Sequence, residues 1–264
     1  MQLSKHHGLG NDFLVLIDLD DAIPIGAEAA RALCDRRRGV GADGLIRVSP
    51  GGDGADVTMT LHNADGSLAE MSGNGIRCMA QALARARGVE VLQLVVATGG
   101  GLRHVGVAPG PGAHIAWVEV DMGPARPGPD RPLVVDLEGA TKWVTVDLGN
   151  PHLVLLVDDP AAVRLDVLGP RLSAQFDAGS NVEVVAPVPG GDDALELRVW
   201  ERGAGITQAC GTGAAAGASA AFGWGLVGER VRVRMPGGEL HVNLGPTITL
   251  AGPATFVAEV DVPA

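Results

Sequence analysis

A shift of 138 residues lays the chain over itself: Ser72-Gly73-Asn74-Gly75 falls on Cys210-Gly211-Thr212-Gly213. The same shift carries Asn63 to Glu201, Asp43 to Asn181 and Gly99-Gly100 to Gly237-Gly238, while Asn11 reaches Asn150 at 139. Short periods build solenoids and propellers, whereas a period of half the 264 residues indicates a duplicated domain. The expected architecture is α/β, with two pseudo-symmetric domains and a cleft between them. Residues 1–115 form the first domain, with residues 256–264 packing back on it, and residues 116–255 form the second. Pro109–Gly112 and Gly123–Pro132 are the candidate crossings. A single β-rich domain with look-alike glycine loops is the rival reading, and it leaves the shared register unexplained.

Most of the chain reads as short β segments parted by glycine and proline: Phe13–Ile17, Val57–Leu61, Leu92–Val96, Trp117–Val120, Trp143–Asp147, Leu153–Val157, Leu195–Trp200, Val231–Met235 and Leu240–Leu244. Thirty-nine glycines suit such turns better than a helical bundle. Helices are predicted over Ser72–Arg87, where Ile76, Met79, Ala80 and Leu83 share one face, and over Cys210–Phe222, whose alanine and glycine content implies burial on every side. A third, Ala27–Arg37, reads as amphipathic and peripheral.

Thirty-one acidic residues against 20 basic ones give a formal charge of −11, which repels a phosphate backbone, so no nucleic-acid partner is expected. Arg36–Arg38 is the only basic run and reads as a solvated helix end. No apolar run is long enough to span a bilayer, so no membrane association is expected. Three cysteines cannot build a disulfide framework, which favours a reducing, cytoplasmic setting. Lysine occurs only at Lys5 and Lys142, neither beside a phosphate-cradling loop, and a cofactor-free, metal-free mechanism is favoured.

The repeat puts Ser72 and Cys210 at equivalent helix starts, each followed by Gly-X-Gly. First-turn amides lack internal partners and carry the positive end of the helix dipole, which stabilises a thiolate or binds a carboxylate. Two such tips facing one α-carbon would let one group remove a proton while the other delivers one to the opposite face, as inversion requires. Cys34 and Cys78, away from any helix start, read as core thiols.

The segments GLGNDF (Gly8–Phe13), DRRRGVGADG (Asp35–Gly44), NADGS (Asn63–Ser67), SGNGIRC (Ser72–Cys78), GNPH (Gly149–His152), NVEVV (Asn181–Val185), ERGAGITQACGTGA (Glu201–Ala214) and Pro236–Gly238 together resemble diaminopimelate epimerase nearly end to end. The resemblance implies two α+β domains, each a barrel-like, mostly antiparallel sheet around a central helix. It also implies an isomerase, often dimeric, that interconverts LL- and meso-diaminopimelate in lysine and peptidoglycan precursor biosynthesis. By the same resemblance Cys210 and the segment around Ser72 supply the base and acid. The amides of Gly73-Asn74 and Gly211-Thr212 hold the reacting carboxylate, and His152 and Glu201 order the α-amino end. Asn11, Asn63, Asn150, Asn181 and Arg202 read the rest of a small di-acid substrate, since a guanidinium forks onto a carboxylate and asparagines meet donors and acceptors alike.

Three positions depart from the family's pattern: Ser72 stands where it has cysteine, Ile206 where it usually has glutamate, and Gly44 where many members have glutamine. Serine is a much poorer base than cysteine. Four readings of Ser72 stay open: a natural serine–cysteine pair as in some of the related proline racemase group, an engineered exchange, altered chemistry such as water elimination, or an inactive binding homologue.

Overall fold

The structure, a computed structural model, describes residues 1–130, 137, 139–190 and 193–263. Arg131 and Pro132 of the second candidate crossing, and Ala264 of the terminal segment, lie outside the described residues. In chain order the elements begin β1 (Gln2–Gly8), β2 (Asn11–Ile17), α1 (Ala27–Cys34), β3 (Gly44–Pro50), β4 (Val57–Asn63), β5 (Leu68–Ala69), α2 (Gly73–Ala86), β6 (Leu92–Thr98), β7 (Gly101–Pro109) and β8 (Ile115–Gly123). They continue with β9 (Arg126–Pro127), β10 (Lys142–Asp147), β11 (Pro151–Leu156), α3 (Leu165–Ser173), β12 (Asn181–Pro187), β13 (Ala194–Glu201), β14 (Gly205–Thr207), α4 (Gly211–Gly223), β15 (Arg230–Met235), β16 (Gly238–Asn243) and β17 (Ile248–Asp261).

Two compact units result: Met1–Asp121 with Ala251–Ala264, and Met122–Leu250. The chain passes between them inside β8 and inside β17, a few residues from the expected 115/116 and 255/256.

In the first unit the sheet runs β1, β2, β3, β4, β6, β7, β8 and back through β17 to β1, closing a barrel. The pairs β2–β3 and β4–β6 are parallel and the other registered pairs antiparallel. Inside lies α2, buried from Gly73 to Ala84. A helix enclosed by strands must be apolar nearly all round, and only Asn74, Arg77 and Gln81 break that rule here. The tight β1–β2 turn needs two left-handed residues, Leu9 and Gly10 at φ 55° and 90°; asparagine or glycine adopts this cheaply, leucine at a cost.

The second unit repeats the plan. Again the first hairpin (β10–β11) is followed by a helix and a parallel partner (β12), an antiparallel return (β13) carrying a short flap (β14), a central helix (α4), and a parallel strand (β15) with its antiparallel neighbour β16. Helix α4 is sheathed on all sides, and its small residues set how closely strands approach. A methyl on Gly217 would lie 2.7 Å from Leu197 Cδ1.

One helical expectation is corrected and one helix is added. Helix α1 ends at Cys34, not Arg37, because Asp35 turns out of helical geometry (φ −58°, ψ 117°) and its carboxylate accepts from the amides of Arg37 and Arg38. Arg36 is therefore no solvated helix end: it bridges Asp12 at 2.6 Å and Asp43 at 2.7 Å. Helix α3 went unforeseen because Gly169-Pro170 sits inside it, a pair that ordinarily ends helices. Gly169 is there because Trp200 packs where its side chain would be, with Cγ 2.4 Å from that point.

Burial is strict enough to shift titration. His6, under the barrel wall, contacts Gln81 Oε1 at 2.8 Å and Ser4 Oγ at 2.9 Å, and desolvation lowers its pKa from 6.5 to about 4. The folded state favours neutral imidazole, so this contribution is complete above pH 6.5 and is lost as pH falls towards 4. It amounts to about 3 kcal/mol at most. Denaturant titrations at pH 7 and pH 4.5 should show a smaller pH-dependent loss for His6→Gln than for the unaltered protein. An equal loss would remove His6 from the explanation. Among the described residues no helix is long and apolar enough to cross a membrane.

Candidate active site

The two central helices begin alike. Ser72 caps α2 with φ −140° and ψ 118°, its Oγ accepting from the Gly75 amide at 3.0 Å. Cys210 caps α4 with φ −129° and ψ 121°, its Sγ accepting from the Gly213 amide at 3.3 Å. Extended cap geometry with the side chain turned back onto the third amide is the usual helix start, so each reactive atom stands at the positive end of its helix.

Around Cys210 the groups are acidic. Thr212 Oγ1 lies 3.5 Å from the sulfur, and Asn150 Nδ2 donates to Thr212 Oγ1 at 3.3 Å. Asn150 Oδ1 meets His152 Nε2 at 3.0 Å, and His152 Nδ1 meets Glu183 Oε1 at 2.7 Å, both side chains fully buried. Glu201 accepts from Thr207 Oγ1 of β14. Burial raises the Glu201 pKa above the usual carboxylate range. The Cys210 thiol is pushed well above its ordinary value by burial first, then by the charges of Glu201 and Glu183. Cys210 is thus held as a thiol, bonded to the Gly213 amide and Thr212 and acted on by the charges of Glu201 and Glu183.

Around Ser72 the buried charge is positive. Arg77, with no exposed surface, donates from Nη1 to Gly73 O at 2.9 Å and from Nη2 to Asn74 Oδ1 at 2.8 Å. No carboxylate pairs with it among the described residues, and desolvation lowers its pKa to about 10. Asn74 Nδ2 donates to Asn11 Oδ1 at 3.1 Å, and Asn11 Nδ2 to Asp43 Oδ2 at 2.7 Å. A helix tip with a guanidinium beneath it favours an anion.

The remaining predicted residues hold local turns. Asn63 donates to Ser67 Oγ at 3.0 Å on its exposed hairpin, the counterpart of Glu201 with Thr207. Asn181 Oδ1 accepts from the Arg202 amide at 2.9 Å, and the Arg202 guanidinium donates to Ala178 O at 2.7 Å. Ile206 alternates with Thr207 on β14 and is 44% exposed, so it leaves the Glu201 contact untouched. Gly44 has no room for glutamine, since a Cβ would lie 2.9 Å from His62 O. Cys34 and Cys78 are buried and free, their pKa values raised by burial to about 11 and 12.

Sequence reasoning missed Glu183 and Arg77. Both lie inside motifs quoted for other reasons. A carboxylate between valines in an otherwise apolar strand was the signal at Glu183.

Comparison with known proteins bears on the same residues. The family model for diaminopimelate epimerase matches residues 3–127 and 144–257. The chain belongs to the diaminopimelate epimerase family. The enzyme of that name from Synechococcus elongatus is 40% identical, covering 97% of this chain and 96% of its own, and that from Thermobifida fusca is 41% identical, covering 99% and 98%. Among solved structures, a hydroxyproline epimerase from Agrobacterium vitis superposes with a TM-score of 0.73 at 18% identity, covering 98% of this chain and 91% of that one. A phenazine biosynthesis protein of the PhzF family from Bacillus anthracis gives 0.73 at 14%, covering 100% and 99%. These two show that the chain shares their α+β fold, and the segments matched by the family model include both helix tips.

Proposed function

We propose that this chain interconverts LL- and meso-2,6-diaminopimelate by proton transfer at the α-carbon, without a cofactor, Cys210 serving one face and Ser72 the other. The observation that carries this reading is the matched pair of helix tips, each with its reactive atom on the third amide. The amides of Gly73-Asn74 and Gly211-Thr212 would hold the reacting carboxylate. His152 and Glu201 would order the α-ammonium, and Asn11, Asn63, Asn150, Asn181 and Arg202 the distal end. Arg202 would first have to exchange Ala178 O for substrate, which its exposed guanidinium permits, while the buried Asn181 would have to release Pro151 O and the Arg202 amide. A cytoplasmic homodimer acting on this small molecule is part of the same reading.

The serine makes the two directions of proton removal unequal in ease at the level of single steps. A hydroxyl gives up its proton far less readily than a thiol, so abstraction on the Ser72 side is the slower step. Incubation of each stereoisomer in deuterated water tests this directly: interconversion is expected, with solvent deuterium entering the α-position faster from one isomer. Absence of both conversion and exchange from either isomer would remove the assignment and leave a binding homologue.

A further inference from the structure

Glu183 has no place in the roles above, yet it is the most deeply buried acid at the α4 tip. It has no exposed surface, and its Oε2 has no hydrogen-bond partner among the described residues. A carboxylate buried at such cost persists where its charge is matched or useful. Its Oε1 holds His152 Nδ1 at 2.7 Å, and a continuous series of contacts runs onward through Asn150 and Thr212 to the Cys210 sulfur. The same oxygen lies 2.9 Å from where a Gly213 Cβ would stand, which reserves that position for glycine, and the Gly213 amide is the one that bonds the sulfur.

We propose that Glu183 is a positioning residue for the reaction: its carboxylate fixes the His152 ring with Nδ1–H towards it, and it sets a negative charge beneath the α4 tip, behind the Gly213 amide that bonds the Cys210 sulfur. The orientation follows from the carboxylate, which can only accept, so the ring turns Nδ1–H to Glu183 and leaves Nε2 facing Asn150 at 3.0 Å. The charges acting on the sulfur are Glu201 from β13 and Glu183 from β12. His152 from β11 faces Glu183, and α4 carries no ionisable side chain within its span. On the other strands against α4, Lys142, Arg230, Arg234 and His241 are exposed and Arg232 is half-buried. Asp147 turns to the Gly149 amide, and Glu239 pairs with Arg234 and His241. None of these replaces Glu183.

This rests on Cys210 being the reacting thiol, and the decisive test needs no substrate. Alkylation of Cys210 by iodoacetamide, followed peptide by peptide across pH, reads the thiolate fraction. Glu183→Gln keeps the shape and removes the charge, whereas Glu183→Asp keeps the charge and withdraws it by one methylene. The expected result is a midpoint lower by about one pH unit in Glu183→Gln, hence about tenfold faster labelling at a fixed pH below it, with Glu183→Asp close to the unaltered protein. An unchanged midpoint in Glu183→Gln, or a larger disturbance in Glu183→Asp, would overturn the assignment and reduce Glu183 to packing. In the diaminopimelate exchange assay Glu183→Gln should lower kcat with KM held. If the unaltered protein were inert to diaminopimelate, the functional reading would fail while the alkylation midpoints still decided the role of Glu183.

Discussion

Cys210→Ala is expected to cut α-proton exchange of both diaminopimelate isomers by about a thousandfold or more, the scale on which loss of a proton-transferring group acts. The sulfur is the one thiol at a helix start; Cys34 and Cys78 are buried and held as thiols by that burial. Glu201 remains in the variant, but its carboxyl is held by Thr207 and it lacks the helix-start position of the sulfur. The substitution leaves the fold standing, since it removes one buried atom and one capping contact, at 3.3 Å, worth about 1 kcal/mol. Proton NMR of substrate in deuterated water, with circular dichroism as a check on folding, gives the answer. Retention of a tenth or more of the exchange would transfer the chemistry to another group.

Ser72→Cys should act in the opposite sense, raising interconversion in both directions by about 10- to 100-fold, since the group that limits proton transfer changes from hydroxyl to thiol. The second unit shows that the site accepts sulfur: Cys210 caps its helix at φ −129° and ψ 121°, against −140° and 118° at Ser72. The sulfur sits 3.3 Å from its amide where the oxygen sits at 3.0 Å. Because the equilibrium constant ties the two directions, kcat/KM should rise together from both isomers, and the asymmetry should show in entry of solvent deuterium, which changes most for the isomer whose α-proton faces Ser72. Equal rates before and after substitution, in both directions, would place the slow step outside proton transfer.

Both central helices were legible in the sequence because a polar turn, glycines and a run without strand alternation coincide there. Ser72 and Cys210 stand as their caps, one residue before the first helical position. Strand β17 was harder, because Gly252-Pro253 lies in its middle and a proline ordinarily argues against a paired strand; here the Pro253 carbonyl accepts from Arg77 Nε at 3.4 Å and the strand runs on. Helix α3 escaped for the same kind of reason, its Gly-Pro pair set by packing on Trp200 rather than by propensity. At the site, identity was readable and partnership was not. The spacing of GNPH announces Asn150 and His152, but only folding brings Glu183, 31 residues onward, to the imidazole. Asn63 and Asn181 look alike in sequence, while one ties a surface hairpin and the other clasps the Arg202 amide.

The duplicated units share a backbone plan but have opposite electrical interiors. One central helix starts above Arg77, and the other starts among Glu183, Glu201 and a protonated sulfur. A hybrid made by joining two copies of the Cys210 unit would keep every strand pairing of that unit. It would nonetheless bury acid beneath both helix starts and have no counterpart of Arg77 to receive an anion. Divergence between the halves therefore lies in a handful of interior charges, and the polarity with which a zwitterion can be received is written there rather than on the surface.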